Sequence, residues 1–251
     1  MADADLIHDR DVLEAAIDCF GRDGYRSTSV AKIAREAGVG GTVAYTYFTN
    51  KGSCTFVNRY EDFEGKPALE LLEKIKSPHP LEKTMAVALV NALNYRHALS
   101  LPEDRENKVL FESFRIGEKT RVAMVGDFAP VARILKEKGA LVEVIDIARG
   151  IGSREDFYGK LRDWAQVMVL TSTSILNNTT EEIFQHTGSE VKTVLLGPST
   201  PMIAEVFSHL PVHMLAGTVP IDKDKVLKAV RHGVGTRVIQ RFSRKSYLSL
   251  T

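Results

Sequence analysis

Five short apolar runs, RVAMV, LVEVIDI, AQVMVL, VKTVLL and VHMLAG, follow one another between Arg121 and Gly217. Each is rich in Val, Ile, Leu or Met, and each leads into polar turn residues and then a stretch with helical spacing. Continuous rather than alternating apolar character is what a strand needs when both of its faces are covered. Strands that alternate with helices imply right-handed crossovers and a parallel sheet. The spacing predicts the intervening helices over 131–138, 155–164, 180–185, 202–210 and 223–232. The expected fold class is α/β, a Rossmann-like doubly wound, mostly parallel sheet.

A helical region precedes the sheet. KPALELLEKI places Leu69, Leu72 and Ile75 on one face, and the two prolines of SPHP stop that helix. In LEKTMAVALVNALNYRHAL, the spacing of Met85, Ala88, Leu89, Ala92 and Leu93 predicts a buried helix. Pro102 in the polar stretch LPEDRENK marks a linker between a small domain over 1–103 and a sheet domain over 108–251.

A chain of 251 residues with 44% hydrophobic content can bury a substantial core. Its formal charge of +1 is spread along the chain, so no global field points to nucleic acid or an acidic membrane, although a local basic patch is compatible with it. No apolar run reaches the roughly 18 residues of a membrane span, and MADADLIHDRD lacks the order of a signal peptide. A cytoplasmic protein with no membrane partner is expected. Cys19 and Cys54 are too few for a disulfide framework, which fits a reducing compartment.

The loops after the strands carry the chemistry. In an open parallel sheet they gather at the carboxyl edge, where ligands bind near the point of strand-order reversal. There stand Gly126, Asp127, Phe128 and Pro130 after the first run, and Asp146 after the second. Thr171, Ser172, Thr173, Asn177 and Thr179 follow the third, and Gly197, Pro198, Ser199 and Thr200 the fourth. Asp146 lies 20 residues after Gly126, the spacing at which an acid takes ribose hydroxyls in dinucleotide folds, yet GDFAP is no G-x-G-x-x-G, and a helix-capping or turn aspartate is the favoured reading. GPST reads as an anion-holding loop, as the N-cap of a helix with Pro201 at its first position, or as both. Asn177 and Thr179 read as caps of the next helix. The histidines are scattered. Only His209 and His213 are close, and Pro211 lies between them, so they read as ordinary histidines rather than zinc ligands. No serine stands in a G-x-S-x-G elbow, and no catalytic residue is assigned.

VGDFAP, TSTSILNNTTEEI, LLGPSTPM and LAGTVPID, in that order and spacing, resemble a family of unknown function named for heavy-metal chelation. The resemblance covers residues 108–251 and extends to the helical stretch from Gly65 to Asn94. It implies a Rossmann-like domain preceded by a small α+β domain like the N-terminal domain of enolase. It also implies a metal ion, while the strand-end loops themselves lead to the expectation of a small anionic or metal-containing ligand, with the cleft between the domains closing the site. Whether such a protein is an enzyme stays open. Self-association is expected on general grounds.

Residues 12–51 resemble the helix-turn-helix of the tetracycline-repressor family through Phe20, Gly24, Tyr25, Ile33, Ala34, Gly38, Val39, Tyr47 and Phe48. That reading places a DNA-binding unit at 10–55. Val39 to Phe48 would enter the major groove, and Thr28, Tyr45 and Lys51 would hold phosphates. The α/β domain would then be a ligand sensor. Gly40 and Gly41, however, stand where the recognition helix begins. The alternative is a meander of SVAKIARE, VAYTYF and SCTFV joined by GVGG and TNKG turns, which agrees with the enolase-like arrangement and is favoured here.

Overall fold

The computed structural model describes residues 67–106, 108–232 and 236–250. The meander, the helix-turn-helix and its phosphate-holding residues Thr28, Tyr45 and Lys51 lie outside the described residues.

Six strands form one sheet in the order β2-β1-β3-β4-β5-β6. They are β1 (Arg121–Val125), β2 (Leu141–Ile145), β3 (Val167–Thr171), β4 (Lys192–Leu196), β5 (Met214–Pro220) and β6 (Ser243–Ser249). The first five are parallel, and β6 runs antiparallel to β5. The sequence led to five parallel strands, and β6 is an addition to them. Its sequence, SRKSYLS, buries only Ser246, so it lacks the apolar run that marks the others. Such an antiparallel edge on an otherwise parallel sheet is common in doubly wound folds.

Side chains alternate between two cores, one on each face of the sheet. On one face Val122, Met124, Val169 and Val194 pack with Leu110, Phe111 and Phe114 of the segment that opens with α4 (Lys108–Ser113). Val131, Ala132 and Leu135 of α5 (Ala129–Glu137) complete that layer. On the other face Ala123, Met168, Leu170, Leu195 and Leu215 meet Phe157 and Leu161 of α6 (Arg154–Asp163). The short α7 (Thr173–Leu176) and α8 (Thr180–Gln185) lie in the β3–β4 crossover, and α8 brings Ile183 and Phe184 to the second core. Tyr158 of α6 stacks on His186 at 4.3 Å and donates to Glu182 at 3.0 Å, fixing α6 against α8. Burial, followed by that carboxylate, holds the Tyr158 phenol above its usual range.

The expected helix over 202–210 is absent. Met202 and Phe207 are buried, Val206 is exposed, and only a single 3-10 turn, Ala204–Phe207, forms there. Before the sheet come α1 (Ala68–Glu73), α2 (Pro80–Leu93) and α3 (Tyr95–Ser100). The buried positions of α2 are Lys83, Ala86 and Val87, whereas Met85 and Leu93 are exposed, so its packed face is rotated from the one its spacing predicts. Leu69 and Ile75 are exposed as well. Ala98 and Leu101 join the second sheet core. Pro102 to Asp104, in the stretch expected as the linker between the two domains, lies along β6. Tyr247 N–H donates to the Pro102 carbonyl at 3.3 Å and Asp104 N–H to the Lys245 carbonyl at 2.9 Å. No helix among the described residues is long and apolar enough to cross a membrane.

Candidate functional site

In the order 2-1-3-4-5 the chain reverses direction between β1 and β3, so the loops after these strands flank the ligand crevice of the fold. The register pairs Val125 with Ile145, and the parallel strands deliver Gly126 and Asp146 to the same edge. Gly126 has φ +90°, and its N–H donates to the Ile145 carbonyl at 2.7 Å. A Cβ at Gly126 would lie 3.0 Å from the Thr171 Cβ, so the β1 loop can approach the end of β3 this closely only with glycine.

Asp146 caps a 3-10 turn, Ile147–Arg149, with Oδ1 accepting from Arg149 N–H at 3.3 Å. Its Oδ2 accepts from Asp127 N–H at 3.1 Å. Arg149 then turns back over the β1 loop, with Nη1 2.7 Å from the Asp127 carboxylate and Nε 3.7 Å from Asp146. Asp146 is thus a turn aspartate whose carboxylate ties the β1 and β2 loops together. Arg149 escaped the sequence reading, although Asp146 three residues before it and Gly150 in the left-handed region after it are the signature of a capped turn. Two carboxylates facing one guanidinium leave this corner with one net negative charge.

Pro130 is the exposed second residue of α5 and contributes no N–H to its N-terminus. The Phe128 carbonyl already takes the N–H groups of Val131 and Ala132 at 2.8 and 2.9 Å. The terminus of α5 therefore offers little to a pyrophosphate, in keeping with the missing glycine fingerprint.

At the end of β3, Thr171 Oγ1 accepts from Thr173 N–H at 3.3 Å and lies 3.2 Å from the Thr173 hydroxyl. Ser172 is 1% exposed, and its N–H donates to the Leu196 carbonyl at 3.0 Å. Gly197 packs directly on it. Thr200 is buried and donates its hydroxyl to the Gly197 and Ala216 carbonyls, which commits it to the fold. GPST begins no helix, so its N-cap reading is corrected. Pro198 is exposed and Ser199 half-buried. Asn177 closes α7 rather than capping α8, and Thr179 stands at the N-cap of α8 without a side-chain cap bond. The structure thus gathers Gly126, Asp127, Asp146, Thr171 and Thr173 around the switch point and sets Ser172 and Thr200 behind them.

A soft heavy metal calls for converging thiolates or imidazoles. Among the described residues no group of three or more His, Cys, Asp or Glu side chains comes together. His213 Nδ1 accepts from Thr193 N–H at 3.1 Å, and His186 is stacked on Tyr158. The described side chains do not fit direct chelation of such an ion.

These features define a doubly wound α/β domain with polar loops at its switch point. Residues 109–249 match the family described as "Putative heavy-metal chelation", and the chain belongs to that family. Residues 12–54 also match the model of the bacterial regulatory proteins of the tetR family. An uncharacterized protein of Methanocaldococcus jannaschii is 23% identical over 173 residues, covering 66% of this chain and 65% of that protein. The match therefore spans just under two thirds of that relative's length. Two crystal structures of proteins of unknown function from the same family are similar in fold. The one from Pyrococcus horikoshii has a TM-score of 0.62 at 23% identity, with coverage of 77% of this chain and 79% of that one. The one from Desulfitobacterium hafniense has a TM-score of 0.58 at 16% identity, with coverage of 73% and 74%.

Proposed function

We propose that the protein binds a small ligand bearing hydroxyl and anionic groups at the carboxyl edge of the sheet, and that any metal arrives as part of that ligand. The observation that carries this reading is the cluster of Asp127, Asp146 and Arg149 on the β1 and β2 loops, with the Thr171 and Thr173 hydroxyls on the β3 loop that Gly126 approaches closely, at the β1/β3 switch point. Its carboxylates suit the hydroxyl groups of a ligand, and the exposed Arg149 guanidinium suits an adjacent acidic group. A metal complex of a hydroxy acid meets these requirements and agrees with the family's description without needing protein thiolates. The segment 1–103 would form the small domain that closes over this edge.

Citrate, alone and as its ferric complex, is a suitable probe for titration calorimetry. Replacing Asp127 by Asn and Thr171 by Val together is expected to weaken its binding by about tenfold, the scale of one or two lost hydrogen bonds. Unchanged affinity in the double variant would remove this reading.

A second reading, favoured by the match over 12–54, is a DNA-binding regulator with the sheet domain as sensor. It predicts salt-sensitive, sequence-specific retardation of DNA from the neighbourhood of its own gene. Equal retardation of unrelated DNA, or none, eliminates it.

A further inference from the structure

Lys83 lies in the first turn of α2 and is 5% exposed. Its Nζ donates to the side-chain oxygen of Asn178, in the turn between α7 and α8. An ammonium taken out of water needs a counter-charge, and one neutral amide oxygen supplies only part of it. Among the described residues no carboxylate pairs with Lys83. Nearby, His79 lies one turn earlier, its carbonyl accepting the Lys83 N–H at 3.1 Å, and its own Nδ1 is buried without a hydrogen-bond partner. A buried cation lacking an anion and a buried nitrogen lacking a partner thus stand in the first turn and at the N-cap of one helix.

The surroundings are those of a binding loop. Helix α2 packs on α7, which directly follows the Thr171–Thr173 turn of the crevice. Asn177 and Asn178 are exposed, so the loop opens to solvent beside the ammonium. Asn178 has φ +55°, a backbone state that asparagine tolerates better than most residues. Behind it the Ser174 and Thr180 hydroxyls lie 2.9 Å apart, buried, and fix the turn. At the other end of the edge, the corner of Asp127, Asp146 and Arg149 is net negative and repels an acidic group that does not reach the guanidinium.

We infer that Lys83, held by Asn178, is an anchor for a carboxylate or phosphate group of the ligand, the missing counter-charge being the ligand's own. The inference rests on the reading of this edge as a ligand site and adds the place of the negative charge.

Inorganic phosphate is the probe, with urea unfolding of the full chain followed at constant ionic strength. Phosphate is expected to raise the wild-type midpoint. In Lys83→Met, phosphate affinity should fall by about 30-fold, the effect of removing one partner of a buried charge pair. Asn178→Asp should act in the opposite sense on stability. It places a permanent carboxylate beside the ammonium, so the phosphate-free midpoint rises while the response to phosphate is lost. That variant keeps the test decisive if Lys83→Met fails to fold. A wild-type midpoint indifferent to phosphate overturns the inference, as does an Asn178→Asp chain that is no more stable and still responds. If Lys83→Met and Asn178→Asp bind phosphate normally while the Asp127 and Thr171 variants lose citrate, this inference fails and the switch-point reading stands. Loss of phosphate response in the Lys83 and Asn178 variants, with citrate binding unchanged in the other pair, has the reverse meaning.

Discussion

Gly197→Ala is expected to destabilise the sheet domain by about 2–4 kcal/mol, from strained backbone and overpacking together. Gly197 has φ +149°, a conformation open to glycine and rarely to residues with a Cβ. The added carbon would lie 2.3 Å from the Ser172 hydroxyl oxygen, and Ser172 is 1% exposed and cannot easily swing away. The two causes can be separated. Adding Ser172→Ala removes the hydroxyl and should recover part of the loss, leaving the backbone strain. A urea midpoint for Gly197→Ala within about 0.5 kcal/mol of wild type would contradict the close packing of the β4 loop on the β3 loop.

Leu170→Ala is expected to cost about 2–5 kcal/mol, the range for truncating a fully buried leucine. Leu170 is 0% exposed on β3, between β1 and β4, and it sits in the core beneath α6 and α8. The matched control is Leu141→Ala on the edge strand β2, where the side chain is 51% exposed and the change should stay within about 0.5 kcal/mol. Similar urea midpoints for the two variants would mean that β3 is not the centre of the sheet. Since small domains are stable by only about 5–15 kcal/mol, the Leu170 variant should also unfold at a markedly lower temperature.

The parts of the fold that could be read in the sequence are those where burial acts on both faces of a strand. Val122 to Met124 and Val167 to Leu170 are buried without a break, and a continuous apolar run has no other simple explanation. Strand β6 was hidden because hydrogen bonding to β5, rather than its apolar content, holds it in place. The expected helix over 202–210 does not form, and Met202 and Phe207, five residues apart and so on different sides of any helix, both enter the core from largely irregular backbone.

The placement of the candidate site's residues was legible to a similar degree. Strand ends announce themselves through Gly126, Asp146 and Gly197, and parallel topology brings them to one edge. Arg149 and Lys83 did not announce themselves, since each acquires its role from a residue distant in sequence. Arg149 reaches Asp127 across 22 residues, and Lys83 reaches Asn178 across 95. A lysine within an apolar helical stretch also reads naturally as the solvent side, which is why the packed face of α2 was misplaced.

The seam between β6 and the segment from Leu99 to Asp104 bears on how the protein folds. Arg244 donates to the carbonyls of Leu99, 145 residues away, and Leu101, 143 residues away. Closing so long a loop costs chain entropy before any contact repays it, and such contacts slow folding. During synthesis α3 and the segment after it would emerge well before their partner strand exists. Until β6 arrives, the outer edge of β5 offers unpaired N–H and C=O groups to any other strand nearby. The strand of this sheet that is made last is therefore both clasp and edge guard, and the interval before it closes is when the nascent sheet is most exposed to mispairing with its neighbours.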